Sequence, residues 1–304
     1  MKYTLDLRYG LGDYLIYKMW KFIGGEIHFK LKDLSMYDPK YTSIQILTRL
    51  NSVEDIFVLG IVTDTIQKDI RYNSLGFKPF IEVVIPYMAY QQADRDFGIG
   101  ECFSLTTMAN FLNALHVNRY IIYMPHSEIT PALMPKAVIV DDRTFIRDII
   151  SNVLNVNDED IFMLTPDAGA YKRSGKLISA MNFQGSLVSA NKYRNLNSGD
   201  IESLELSMQD FNGSDVLIVD DLCMGGNTFI GLAKEIQKRN VGNLYLAVSH
   251  MVPQVINEEL LQYFTRIFTT NSRFGRYISG TITVVSNQAN ESLYVHDIFP
   301  TLTK

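Results

Sequence analysis

The sequence of 304 residues is poor in cysteine, with two in all, Cys102 and Cys223. Two so far apart give neither a disulfide framework nor a metal-ligand spacing, so a reducing compartment, the cytoplasm, is expected. There is no excess of positive charge: 28 Lys and Arg stand against 33 Asp and Glu, a net of -5. The composition therefore carries no nucleic-acid footprint. No apolar run approaches the ~20 residues of a membrane-spanning helix, and the opening MKYTLDLRYG lacks the apolar core of a signal peptide. Low-complexity tracts and an obvious linker are also missing. Apolar residues make up 47% of the chain, which excludes the composition of a disordered protein. The length suits two average domains. A soluble globular protein with neither nucleic-acid nor membrane partners is expected.

Short apolar runs recur at 58–62, 82–85, 120–124, 161–164, 216–219, 244–248 and 281–285. Most are too short for helices and too uniformly apolar for half-exposed strands, so they read as strands covered on both faces. Between them lie helical patterns at 103–115 and 229–239. In the second, Phe229, Leu232, Ala233 and Ile236 form one apolar face, and Asn240 and Gly242 supply the stop. Strands and helices in alternation predict an α/β fold with mainly parallel sheets. Acidic and Asn-rich segments within 135–157 interrupt the apolar pattern and suggest domains of 1–142 and 143–304. Residues 138–146 echo 217–230: each has an apolar run, two acids and, further on, Thr-Phe-Ile. The echo reads as chance, or at most a trace of duplicated halves.

The sharpest signal is the run 216–219 followed by Asp220, Asp221, Leu222, Cys223, Met224, Gly225, Gly226, Asn227 and Thr228, and then the amphipathic helix. A strand would deliver two acids to its carboxyl end, where open α/β sheets bind ligands. A Gly-containing loop opening a helix offers backbone N–H groups and partial positive charge to a phosphate. The acids suit sugar hydroxyls or a bridging cation, and together with the cradle they suggest a sugar phosphate. The alternative is an ordinary strand-to-helix turn capped by Asn227 or Thr228.

This segment resembles the ribose-phosphate-binding motif of the phosphoribosyl pyrophosphate synthetase and phosphoribosyltransferase group, with Met224 in place of the usual acid and the glycines shifted by one. Further resemblances follow in the synthetase order. The segment Phe22, Ile23, Gly24, Gly25, Glu26 resembles the family's Phe-x-Asp-Gly-Glu ATP loop, and Pro86, Tyr87, Tyr90, Gln92, Ala93, Asp94 and Arg95 resemble its second ATP segment. His126 sits where the family has a metal-holding His. Residues 165–170 resemble Ser-Pro-Asp-x-Gly-Gly, whose Asp, here Asp167, is a second metal-site residue. Lys192 and Arg194 resemble the Lys-x-Arg of the flexible catalytic loop, and 247–251 resemble the Ala-Thr-His-Gly segment. Read without the resemblance, His126 is a surface or structural histidine, Asp167 a turn former, Lys192 and Arg194 part of a solvated loop, Phe22 a core aromatic, and Tyr87 and Tyr90 packing residues.

The resemblance implies two phosphoribosyltransferase-type α/β domains, the second carrying the ribose-phosphate loop. It implies magnesium-dependent transfer of pyrophosphate from ATP to the anomeric hydroxyl of ribose 5-phosphate, releasing AMP. ATP would be bound by Phe22, Gly24, Gly25, Glu26, Gln92, Asp94 and Arg95. Mg²⁺ would be held through His126 and Asp167, and the sugar phosphate by Asp220, Asp221 and the segment Met224, Gly225, Gly226, Asn227, Thr228. Lys192 and Arg194 would stabilise transition-state charge. The substitutions look most like divergent members from phage and nicotinamide-salvage gene clusters, which makes ADP-ribose an alternative acceptor and a host cytoplasm the setting if phage-encoded. A catalytically inactive regulatory or binding homologue is the reading from another class. The family suggests a homo-oligomer, a dimer or hexamer.

Overall fold

The structure, a computed structural model, describes residues 2–32, 43–69, 78–96, 98–194, 201–274, 280–285 and 290–303; for 2, 191–194, 201–204, 280–285 and 290–292 the description is of the backbone. The chain divides into two compact units, Met1–Val140 with Leu302–Lys304, and Asp141–Thr301.

The first unit holds a five-stranded parallel sheet. Its strands are β1 (Lys2–Asp6), β5 (Ser43–Leu47), β6 (Phe80–Ile85), β7 (Arg119–Tyr123) and β8 (Ala137–Val140), side by side in that order. A separate antiparallel sheet is made of β2 (Gly12–Asp13), β3 (Tyr17–Lys21) and β4 (Ile27–Leu31). The run 58–62, expected as a strand, instead lies inside helix α1 (Val53–Lys68). Val58, Leu59, Val62 and Ile66 line its buried face. The start is fixed by a capping box in which the Ser52 hydroxyl accepts from the Asp55 N–H and Asp55 accepts from the Ser52 N–H. A five-residue apolar window is compatible with either period, and the capping pattern upstream decides for the helix. Helix α2 (Ser104–Ala114) buries Leu105, Met108, Ala109 and Leu112 in the same core.

The second unit is built on eight strands: β9 (Ile161–Thr165), β10 (Leu187–Arg194), β11 (Ile201–Leu206), β12 (Asp215–Cys223), β13 (Leu244–Met251), β14 (Arg266–Thr270), β15 (Gly280–Val285) and β16 (Asn290–His296). Their order across the sheet is β11-β10-β9-β12-β13-β14-β16-β15. The six inner strands are parallel, and β11 and β15 close the edges antiparallel. Strand β12 shows why the inner strands read as unbroken apolar runs. Val216 and Ile218 enter one core with Phe229, Leu232, Ala233 and Ile236 of helix α6 (Asn227–Ile236). Leu217 and Val219 enter the opposite core with Phe145 and Ile146 of helix α4 (Arg143–Asp148) and Leu177 of helix α5 (Ala168–Met181). A short helix, α3 (Thr130–Leu133), belongs to the first unit. Burying each such side chain contributes about 1.5–3 kcal/mol, so helices on both faces remove the usual polar alternation.

One expectation is corrected by the sheet. Residues 187–194, read as part of a loop, form β10, which pairs with β9 on one side and β11 on the other. Their Ser and Asn residues hid a strand whose first part, 187–189, pairs with β9 and whose second part, 190–194, pairs with β11. The echo at 138–146 also falls on a strand followed by a helix, β8 and α4 with the two acids between them, whereas Asp220 and Asp221 lie inside β12.

Candidate functional site

Strand β12 runs on through Asp220 and Asp221 to Cys223, and a short loop of Met224, Gly225 and Gly226 leads into α6. Gly226 has φ +79, a left-handed conformation that disfavours any side chain, and its position is buried. Gly225 faces open space, with nothing within 4 Å of where a Cβ would be, and Met224 is 40% exposed. The first amides of a helix have no carbonyl partner within it, so the N–H groups of Asn227 and Thr228 give this ten-residue helix an anion-binding end. The N-cap position is taken by Gly226, so Asn227 and Thr228 lie inside the first turn and neither caps the helix. Cys223 is buried, and burial pushes its thiol up to about 12, so it is no nucleophile at neutral pH.

The acid pair is held by a residue that the sequence motifs did not single out. Arg173, on α5, places Nη2 2.5 Å from Asp220 Oδ1 and Nη1 3.2 Å from Asp221 Oδ1. The Asp221 N–H also donates to Asp220 Oδ1 at 2.9 Å. A third acid adjoins: Asp142 is 2% exposed and accepts from the Ser249 hydroxyl at 3.0 Å. One guanidinium thus pairs with two carboxylates. Burial pushes Asp142 up to about 6, against the pull of Arg173 and Ser249. Burial, then repulsion from Asp221, also pushes Asp220 up, with Arg173 opposing. Burial works against the charge on Arg173, but Asp221, Asp220 and Asp142 outweigh it, and its pKa is raised. Beside Ser249, His250 is fully buried with Nδ1 2.8 Å from Ser272 Oγ, and Thr270 donates to the Ser249 carbonyl at 2.6 Å. These polar side chains cluster at the carboxyl ends of β13 and β14.

The other expected residues lie as follows. Phe22 is half exposed at the tip of the β3–β4 hairpin, where Gly25 N–H donates to the Phe22 carbonyl at 2.9 Å and Phe22 N–H to the Glu26 carbonyl at 2.8 Å. Phe22 is thus no core aromatic. Its ring stands 5.6 Å from that of His28 and 6.0 Å from that of Trp20, two neighbours the motif did not include. Gly24 and Glu26 complete the tip, and a Cβ on Gly24 would meet Glu26 Oε2 at 3.0 Å. Gln92 and Arg95 are exposed, and Asp94 lies 3.4 Å from Arg95 Nε. The residue that pins this turn is Gln91, fully buried, donating to the Met88 carbonyl at 2.7 Å and accepting from the Ser127 N–H at 3.3 Å. Tyr87 is buried as expected, but Tyr90 is 44% exposed with φ 64 and is not a packing residue.

His126 is exposed in the first unit, just beyond β7. Asp167, in the second, is the N-cap of α5 and accepts from the Ala170 N–H at 2.9 Å. Among the described residues no group of three or more His, Cys, Asp or Glu could hold a metal. The backbone of Lys192 and Arg194 lies on β10, with Lys192 opposite Leu204 and Arg194 opposite Ile201; their side chains lie outside the description, as do residues 195–200 of the expected loop. Among the described residues no helix is long and apolar enough to cross a membrane.

Residues 136–275 match the phosphoribosyl transferase domain family. The chain is 30% identical over 150 residues to a ribose-phosphate pyrophosphokinase from Sulfurisphaera tokodaii, covering 49% of this chain and 50% of the relative. It is 28% identical over 181 residues to one from Saccharolobus solfataricus, covering 59% and 60%. The matched stretches thus span about half to three fifths of these relatives' length. Among solved structures, a phosphoribosylpyrophosphate synthetase from Mycobacterium smegmatis superposes with a TM-score of 0.70 at 17% identity, over 94% of this chain and 87% of the other. That last likeness is one of fold.

Proposed function

We propose that this chain is a member of the phosphoribosyl pyrophosphate synthetase family, whose curated relatives it resembles, and that it transfers a pyrophosphoryl group from ATP to the anomeric hydroxyl of ribose 5-phosphate. The anomeric oxygen attacks the β-phosphorus in line. The bond from that phosphorus to the bridging oxygen of AMP breaks, and the products are phosphoribosyl pyrophosphate and AMP. The observation that carries this reading is the acid pair Asp220 and Asp221 followed by a left-handed glycine and an uncapped helix start. It sets hydroxyl acceptors beside an anion cradle, which is the pair of contacts a sugar phosphate requires.

In this reading Asp220 and Asp221 accept from the ribose hydroxyls, and Met224, Gly225, Gly226, Asn227 and Thr228 surround the 5-phosphate. Phe22, Gly24, Gly25, Glu26, Gln92, Asp94 and Arg95 bind ATP, with the exposed Phe22 ring offered to a base. Lys192 and Arg194 stabilise the charge that develops on the transferring group. Mg²⁺ would be held by His126 and Asp167 and would supply charge neutralisation on the polyphosphate. The working assembly is a homo-oligomer in the cytoplasm.

A second acceptor has a specific observation in its favour. Exposed Met224 and the open space at Gly225 leave an exit for a group esterified to the 5-phosphate, as in ADP-ribose, which would tie the product to NAD synthesis and to the salvage and phage members of the family. The test is AMP release from Mg-ATP with each acceptor in turn. AMP with either one supports pyrophosphoryl transfer, and none with both would identify a binding homologue. The ratio of kcat/KM then chooses the acceptor. A preference for ribose 5-phosphate beyond about a hundredfold, near 3 kcal/mol, rejects ADP-ribose.

A further inference from the structure

Strands β6 and β7 are parallel neighbours, with Ile85 opposite Ile122. Their carboxyl ends open into two turns, and open α/β sheets bind ligands at that end. The turn after β6 leads to Gln92, Asp94 and Arg95, and the turn after β7 carries His126. Each turn holds a non-glycine residue in the left-handed region, Tyr90 at φ 64 and Met124 at φ 40. Such backbone is strained, persists only where its surroundings fix it, and gathers at ligand sites.

One buried amide joins the two turns. Gln91 donates through Nε2 to the Met88 carbonyl at 2.7 Å, within its own turn. Its Oε1 accepts from the Ser127 N–H at 3.3 Å and from the Thr130 hydroxyl at 3.4 Å, in the other turn. Ser127 and Thr130 are themselves buried. A buried amide is costly unless it is hydrogen-bonded, and this one places its donor and its acceptor on different turns. The residues beside these contacts face outward: Gln92 and Arg95 are exposed, and so is His126 next to Ser127. We infer that Gln91 is a positioning residue for the nucleotide: it fixes the turn leading to Gln92, Asp94 and Arg95 against the turn of His126, so that one nucleotide with its metal meets both. This rests on the reading that these two turns bind ATP and its metal. An amide that only stabilised the core would lower stability by the same amount with or without His126, and would favour neither ligand.

The test uses the full chain and binding rather than turnover. The α,β-methylene analogue of ATP, with Mg²⁺, is titrated calorimetrically into wild type, Gln91→Leu, His126→Ala and the double variant, and ribose 5-phosphate into the same four. Gln91→Leu keeps the bulk and removes the amide. It is expected to weaken the analogue about tenfold, the scale of a lost buried hydrogen bond, and to leave the sugar phosphate within about twofold. His126→Ala weakens the analogue as well. The double variant binds it no more weakly than the weaker single variant, because either change breaks the same span. Thr130→Val, which keeps the shape and removes one bond to Gln91, gives a smaller loss of the same kind and covers the case in which Gln91→Leu does not fold. An analogue affinity unchanged in Gln91→Leu, equal weakening of both ligands, additive single effects, or a His126→Ala variant that binds like wild type would each overturn the inference. A wild type that does not bind the analogue overturns the reading of these turns, and the inference with it. A wild type that binds the analogue but releases no AMP from ATP and ribose 5-phosphate refutes pyrophosphoryl transfer alone and leaves the binding cycle to decide Gln91.

Discussion

Val140-Asp141-Asp142 and Val219-Asp220-Asp221 are the same three residues at the ends of apolar runs, but they diverge at once. After the first, the chain passes straight into α4 at Arg143. Asp141 stays half exposed and bonds Arg143 Nε at 2.9 Å, while Asp142 stands at the helix cap without capping and turns its carboxylate inward to Ser249. After the second, the strand continues to Cys223, and three more residues with a left-handed glycine precede the helix. Those few extra residues separate the acids from the helix start. In the turn without them, Asp141 bonds Arg143 two residues on and Asp142 bonds Ser249. What distinguishes the proposed ligand site from its echo is therefore the loop between acid and helix, more than the acids themselves.

The comparison breaks most sharply by removing an acid from each turn. Asp221→Asn is expected to lower acceptor kcat/KM about 10- to 100-fold, the loss of a charged hydrogen bond of roughly 1.5–3 kcal/mol. Steady-state rates at saturating ATP check this, and an unchanged value would equate the two turns. Next in size is the loop itself. Gly226→Ala forces a side chain into φ +79 and should cost about 1–2 kcal/mol of stability, read as a lower denaturant midpoint. Gly225→Ala, where the added methyl meets nothing within 4 Å, should leave the midpoint unchanged or slightly raised. Equal losses at the two positions would contradict the loop geometry.

A third contrast is in pH. Burial holds Asp142 at about 6 against an ordinary 3.8. Between these values the folded chain keeps a proton that the unfolded chain has released, so stability falls as pH rises through this window. Asp142→Asn has no such proton and should flatten Tm from about pH 4 to 6. An unchanged slope would assign the dependence elsewhere. The smallest effect belongs to the exposed acid: Asp141→Asn, which loses a surface pair with Arg143, should shift stability by less than about 0.5 kcal/mol. A larger loss would make the first turn more than an echo.

Much of this was legible in the sequence because it rests on local pattern. The run 216–219, the acids and the apolar stripe of 229–239 give β12, the loop and α6 in order, since a strand covered on both faces and a one-sided helix leave distinct residue periods. Arg173 was not legible. A lone arginine on a helix reads as solvated, and the only local hint is the small Ala170 and Ser174 flanking it. Asp142 was visible as part of the echo, but its partner Ser249 lies 107 residues away, and no period links them. The run 58–62 misled for a different reason: five apolar residues fit a strand, and only Ser52 with Asp55 marks a helix. Gln91 was hidden by its neighbour Gln92, the position the motif draws attention to, because burial alone separates them.

The account stands on intact pyrophosphoryl transfer, and labelled ATP reads that directly. With ³²P in the β position and Mg²⁺ present, the account predicts that the label leaves ATP and appears in a sugar pyrophosphate, with unlabelled AMP formed in equal amount. Label retained in ADP, or released as free pyrophosphate or phosphate without a sugar product, would contradict it.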